Sequence, residues 1–177
     1  MSYAPFIHLR VHSAYSLSES TLRISELAKL ASSDNQPALA ITDSFNMFGA
    51  FEFSQKMLDY GVQPLIGVSV ALSDERGEGN VFLLAQTEAG YIHLSQLVSD
   101  ALLATDPASQ PVIPLAALAA RSAGLILLSG GARGGFIGQP AAHGQRDLAL
   151  QRLTGLKDMF GDRVYVELQR HGLTGER

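Results

Sequence analysis

Near the amino terminus, Ile7-His8-Leu9-Arg10-Val11-His12 alternates apolar and polar residues. Successive side chains of an extended chain point to opposite faces, so His8, Arg10 and His12 are expected to share one face of a strand over 6–11. Two imidazoles on one strand face look like half of a metal site, because neutral imidazole nitrogen is a favoured ligand for zinc and its neighbours. Arg10, standing between them, has five N–H donors, no acceptor and a permanent positive charge. The sequence contains no cysteine. Thiolate sites and disulfides are therefore excluded, and any metal would rest on histidine, carboxylate or other oxygen ligands.

The elements that would position these residues follow from the apolar pattern. Short runs rich in Val, Ile and Leu predict strands at 6–11, 38–42, 65–72, 81–85, 125–129 and 164–168. Helical spacing predicts helices at 21–32, 48–60, 89–103, 115–121 and 145–160. Ser20 or Thr21 is expected to cap the first of these, and Gly61 to stop the second. Strands alternating with helices across short links predict an α/β fold of mostly parallel strands joined by crossover helices. The stretch 105–114 reads as the one linker-like segment. At 177 residues the expectation is one domain, or part of one.

In such folds chemistry collects at the carboxyl ends of strands. That rule singles out His12, Ser13 and Glu19 after the first strand, and Thr42, Asp43, Ser44 and Asn46 after the second. Ser69 lies on the third strand and Asn80 at the start of the fourth. "SGGARGGFIG" follows the strand at Leu125, and "ELQRHG", with Glu167 and His171, ends the last one.

Hydrophobic residues make up 46% of the chain and charged residues 17%, which fits a soluble globular protein with a sizeable core. No apolar run reaches the length of a bilayer span, and Met1-Ser2-Tyr3-Ala4-Pro5 lacks the basic and apolar regions of a signal peptide. A cytoplasmic location is the expectation. The net charge of -4 argues against this stretch gripping nucleic acid by itself, since phosphate neutralisation needs clustered Lys and Arg.

"FIHLRVHSAYSL", "PALAITDSFNMFGAFEF", "PLIGVSV", "GLILLSGG" and "FGDRVYVELQRHG" together resemble the start of the bacterial C-family replicative polymerases, the DNA polymerase III alpha subunits. The resemblance runs from about residue 6 to residue 173. It implies a PHP (polymerase and histidinol phosphatase) domain, a distorted seven-stranded β/α barrel. Residues 1–177 would be one partial domain, ending before the barrel is complete. An unpaired sheet edge would follow from that.

Metal-binding members of the family read "HLHVHS…LDG", "TDHGN" and "GCE", then a histidine opening the next strand. Against that pattern Arg10 stands in place of the first histidine of the pair, while His12 keeps the second. Glu19-Ser20 replaces Asp-Gly, Ser44 replaces the histidine after Asp43, Ser69 the glutamate and Asn80 the strand-opening histidine. The resemblance thus marks His8, Arg10, His12, Glu19, Asp43, Ser44, Ser69 and Asn80 as a vestigial metal cleft. Only His12 and Glu19 keep good ligand character, and no cofactor is expected for this stretch. Arg10 is expected to stand in for the lost metal charge, with its guanidinium near Asp43 or Glu19.

Plainer readings compete at each position. The histidines could simply be hydrogen-bonded polar residues at a barrel mouth. Asp43 and Ser44 suit a capping and turn role as well as a catalytic one. "SGGARGGFIG" lacks the spacing of a phosphate-binding loop and reads as a flexible connection.

Two functions follow from the resemblance. The first is a non-catalytic domain of a replicative polymerase that stabilises the enzyme and docks its proofreading exonuclease subunit. The polymerase would use Mg2+, and DNA would be held by its other domains. The alternative is a metal-dependent phosphoesterase, acting as a proofreading exonuclease or a pyrophosphatase.

Overall fold

A computed structural model describes residue 4, residues 6–169 and residue 172. The chain divides into two compact units, Met1–Ser69 and Val70–Arg177. Six strands, β1 (Ala38–Ser44), β2 (Gln63–Asp74), β3 (Gly77–Ala85), β4 (Ile113–Pro114), β5 (Leu125–Leu128) and β6 (Val164–Tyr165), hydrogen-bond in the order β1-β2-β3-β5-β6, with β4 paired to β2. Three of the strand pairs, β1·β2, β2·β4 and β5·β6, are parallel, as the α/β reading expects.

The first unit is built from α1 (Ile24–Ser33), β1 (Ala38–Ser44), α2 (Ala50–Asp59) and the first residues of β2 (Gln63–Asp74). β1 is buried along almost its whole length, as a strand covered on both faces should be. It pairs with β2 from Ala38↔Gln63 to Ser44↔Ser69, and α2 makes the crossover. Ile24, Leu27, Ala31, Leu39, Ile41, Phe53, Met57 and Val62 form its core.

Both helices of this unit end in Schellman caps, in which a left-handed residue lets two amides turn back onto the last carbonyls. Gly61 (φ 71°) does this for α2, with the Val62 amide donating to Met57 O at 2.9 Å and the Gly61 amide to Leu58 O at 3.0 Å. Gly61 therefore stops its helix as expected. Asn35 (φ 54°) plays the same part for α1, with the Gln36 amide on Ala31 O.

The first expected strand does not form as one. Ala40 donates its amide to His8 O, as beside a parallel neighbour, but Thr42 donates to Val11 O. Three residues on one side thus match two on the other. An extra residue in a ladder breaks strict alternation, as in a bulge. The expected common face of His8, Arg10 and His12 is lost for that reason. His8 lines a groove together with Val11, Leu27 and Leu39, although strict alternation would have set His8 and Val11 on opposite faces. The first helix also starts later than expected. Its N-cap is Arg23, without a side-chain cap, because the Ser20 hydroxyl is committed elsewhere, donating to His12 O at 2.7 Å.

The second unit contains β3 (Gly77–Ala85), α3 (Glu88–Ala104), β4 (Ile113–Pro114), α4 (Leu115–Ala120), β5 (Leu125–Leu128), α5 (Gly138–Ala142), α6 (Arg146–Phe160), a 3₁₀ turn (Gly161–Arg163) and β6 (Val164–Tyr165). Thr87 caps α3, its hydroxyl accepting from the Gly90 amide at 3.1 Å. Only Glu75 and Arg76 separate β2 from β3, too short a link for a crossover helix. β3 also runs antiparallel to β5, an exception within a mostly parallel sheet. β4 lies within the stretch read as a linker, where two residues ending in proline give too little pattern to recognise. The last strand keeps only two residues of the expected five.

"SGGARGGFIG" is not a loose connection. The Asn80 amide donates to Gly134 O at 2.7 Å and Asn80 O accepts from Phe136 at 3.0 Å, stitching the loop to β3. A Cβ on Gly135 would lie 2.5 Å from Gly131 O, closer than real contacts allow. The glycines permit this close backbone packing, and the segment runs on into α5.

An ion pair between a buried arginine and a partly exposed aspartate locks the hairpin end to α6. Arg152, 6% exposed, donates from Nε and Nη2 to the two Asp74 oxygens, each at 2.8 Å. It also donates from Nη1 to Phe136 O at 2.8 Å and from Nη2 to Gly77 O at 3.1 Å, and its guanidinium lies 4.0 Å from the centre of the Phe136 ring. The hydrogen bond from Arg152 holds the Asp74 carboxyl below its usual range, helped by the Arg76 amide and both arginine charges, against the opposing effect of burial. Because the folded-state pKa is depressed, the stability it contributes is present above the ordinary carboxylate pKa and lost as pH falls through the lowered value. The urea midpoint should therefore drop with acidification in the native chain. Arg152→Met should flatten that part of the profile; equal acid slopes for the two proteins would contradict the assignment.

Candidate functional site

The carboxyl end of β1 and the loop before α1 gather a cluster of hydroxyls and carboxylates within the first unit. Asp43, 2% exposed, sits at its centre. Oδ1 accepts from the Ser13 amide and from Ser16 Oγ, each at 2.6 Å, and Oδ2 accepts from Ser13 Oγ at 2.7 Å. Ser13 Oγ in turn accepts from the Tyr15 amide, and Ser16 Oγ from the Ser44 amide. Asn46 completes the turn, its Oδ1 accepting from the Phe48 amide and its Nδ2 donating to Tyr15 O. This is the turn role that "TDSFN" suggested, extended to a loop thirty residues earlier in the chain.

A second layer lies beside it. Ser44 Oγ donates to Glu19 Oε2 at 2.7 Å. His12 Nδ1 is 3.2 Å from Glu19 Oε2, 3.2 Å from Ser16 Oγ and 3.4 Å from Ser44 Oγ. The His12 side chain is 22% exposed and that of Glu19 53%. On the rim, the Tyr15 hydroxyl donates to Glu52 Oε2 at 3.2 Å; that bond and the carboxylate charge raise the phenol above its ordinary pKa.

Of the eight positions marked in the sequence, the structure thus brings together His12, Glu19, Asp43 and Ser44. Ser69 stands opposite Ser44 in the β1·β2 register and accepts from the Phe45 amide through its carbonyl. His8 is turned into the groove beside α1, its ring edge against Phe6. Arg10 is an exposed residue of the bulged segment. Asn80 belongs to the second unit and lies inside β3 rather than at its start. Also in the second unit, the Glu167 amide donates to Ser129 Oγ, and Glu167 Oε1 accepts from Gln169. His171 falls outside the described residues. Ser16 was not singled out from the sequence. The signal was there, since Ser13 and Ser16, three apart in a turn, can both reach one carboxylate.

The sequence matches the PHP domain over residues 8–171. The chain belongs to the PHP domain family. This PHP chain is 44% identical over 176 residues to the DNA polymerase III subunit alpha of Caulobacter vibrioides, covering 95% of this chain and 15% of that protein. The Escherichia coli K12 protein of the same name is 35% identical over 181 residues, covering 99% of this chain and again 15% of the relative. The chain therefore spans about 15% of the length of the curated relatives it matches. A solved structure from Bifidobacterium adolescentis, described as a candidate metal-dependent phosphoesterase, aligns at 17% identity with a TM-score of 0.46, over 58% of this chain and 35% of that one. No helix among the described residues is long and apolar enough to cross a membrane.

Among the described residues, the cluster at the end of β1 does not offer the donor set of a divalent-metal cluster. Such a cluster needs several neutral imidazoles and carboxylates with open lone pairs. Among the described residues no three His, Asp or Glu side chains are placed to hold one ion. Both Asp43 oxygens already accept short hydrogen bonds, and Glu19 Oε2 serves Ser44 and His12.

Proposed function

We propose that this PHP domain is the catalytically silent part of a bacterial replicative polymerase alpha subunit. It belongs to a β/α barrel that stabilises the polymerase and docks the proofreading exonuclease subunit, in the cytoplasm. The remainder of the subunit would bind DNA and carry out Mg2+-dependent nucleotidyl transfer. The family match and the similarity to polymerase III alpha subunits support the setting.

The silence is carried by one observation: Glu19 and His12, the two residues retaining ligand character, are hydrogen-bonded into the serine cluster. In this reading His8, Arg10, Ser69 and Asn80 are remnants of the same cleft, and Arg10 supplies the positive charge that a metal once gave. Elemental analysis of the purified chain, with a phosphoesterase assay in manganese or zinc, tests it. The expected result is no stoichiometric metal and no turnover. Stoichiometric metal with turnover would establish the phosphoesterase reading instead.

A further inference from the structure

In the second unit, two adjoining cavities of about 640 and 330 Å3 lie where the β2–β3 turn meets the start of α6, and they share Arg76, Gln145 and Leu148 as wall residues. Arg146 lines the larger of them and Arg152 the smaller. The Arg76 and Arg146 side chains are exposed. Among the described residues neither makes a hydrogen bond or an ion pair, although the Arg76 charge helps to hold the Asp74 carboxyl down. Two carboxylates also reach the walls, Asp147 in the larger cavity and Glu78 in the smaller. Both are exposed, where water and salt weaken their field, and neither pairs with Arg76 or Arg146.

Arg152 adds a donor from the wall itself. Its guanidinium has five N–H groups. Nε spends one on Asp74, Nη2 spends two on Asp74 and Gly77 O, and Nη1 spends one on Phe136 O. The second N–H of Nη1 has no acceptor among the described residues, on a side chain only 4% exposed. A buried charged donor left without a partner is costly, and an anionic oxygen is the acceptor that relieves it best.

We propose that the two cavities form a binding site for a phosphate-type oxyanion, held by Arg76 and Arg146 at the rim and by the remaining Arg152 N–H inside. Guanidinium forks match phosphate oxygens. A planar carboxylate fills one fork, whereas a tetrahedral anion presents oxygens in several directions, toward arginines that come from separate elements. The site lies entirely in the second unit and is independent of the β1 cluster on which the silent-domain reading rests.

Titration of the full chain with sodium phosphate, at an ionic strength held constant with sodium chloride and followed by 1H–15N spectra, tests the site. Saturable shifts are expected at the Arg76, Gln145, Arg146 and Leu148 amides and at the Arg152 guanidinium. Arg76→Gln and Arg146→Gln should each weaken binding about tenfold, the loss of one hydrogen bond to a charged group. Lys157→Gln removes the same charge elsewhere on α6 and should leave the affinity within about twofold of native. Glycerol 3-phosphate identifies the source: tighter binding than phosphate assigns the site to a phosphate ester, weaker binding to the free anion. Shifts that never saturate, or an equal loss in all three variants, would overturn the proposal, as would arginine variants that bind like native.

Discussion

Arg152→Met is expected to lower the unfolding free energy of the second unit by about 2–4 kcal/mol, because hydrogen bonds to a charged group are worth roughly 1.5–3 kcal/mol each and Asp74, 20% exposed, recovers part of its hydration. The loss is large because the guanidinium serves three groups together. Asp74 loses a two-pronged contact, and the carbonyls of Phe136 and Gly77 lose a donor. Methionine fills much of the volume over the Phe136 ring, so the effect reports polar loss more than a cavity. Pairing the change with Asp74→Leu should recover a substantial part, since replacing both partners removes the uncompensated charge. Urea denaturation of the three variants gives the comparison. A single-variant loss under about 1 kcal/mol would place the pair among ordinary surface bridges.

Asp43→Ala should cost the first unit at least about 4 kcal/mol, since it removes three hydrogen bonds to a charged acceptor worth roughly 1.5–3 kcal/mol each and leaves their donors buried. The Ser13 amide and the two serine hydroxyls have been directed at Asp43, and an alanine offers them nothing. Asp43→Asn keeps one acceptor but turns an NH2 toward a hydroxyl already accepting from Tyr15, so it should fall between alanine and native. Amide hydrogen exchange localises the effect: the Ser13 and Ser44 amides should lose protection first, while β3 and β5 amides keep theirs. Uniform loss across both units would contradict a local clamp.

Much of this was open to a reader of the sequence, for identifiable reasons. β1, β3, β5 and the long helices announce themselves because buried strands read as apolar runs and amphipathic helices keep their period. Gly61 stops α2 because a left-handed position favours glycine. The segment at 6–11 misled because alternation shows which side chains could share a face, but not whether the ladder beside it gains a residue. β4 was hidden by its length, and the glycine loop by the habit of reading glycine as freedom when here it allows close packing. In the cluster, His12, Glu19, Asp43 and Ser44 lie together because the loop before α1 meets the end of β1. Their hydrogen-bond partners were not legible, because Arg10 drew attention and Ser16, a commonplace turn residue, did not.

The lock on Asp74 closes across 78 residues of chain. A polypeptide emerging from the ribosome makes β2 and β3 long before α6 exists, and domains begin to order from the amino-terminal side during synthesis. Throughout that interval Asp74 has no arginine to meet, and the hairpin end must wait in water with its carboxylate solvated. The ion pair is therefore a late fastening in the life of each molecule, and a stall in translation before Arg152 would leave the β2–β3 hairpin unlatched and β6 not yet made.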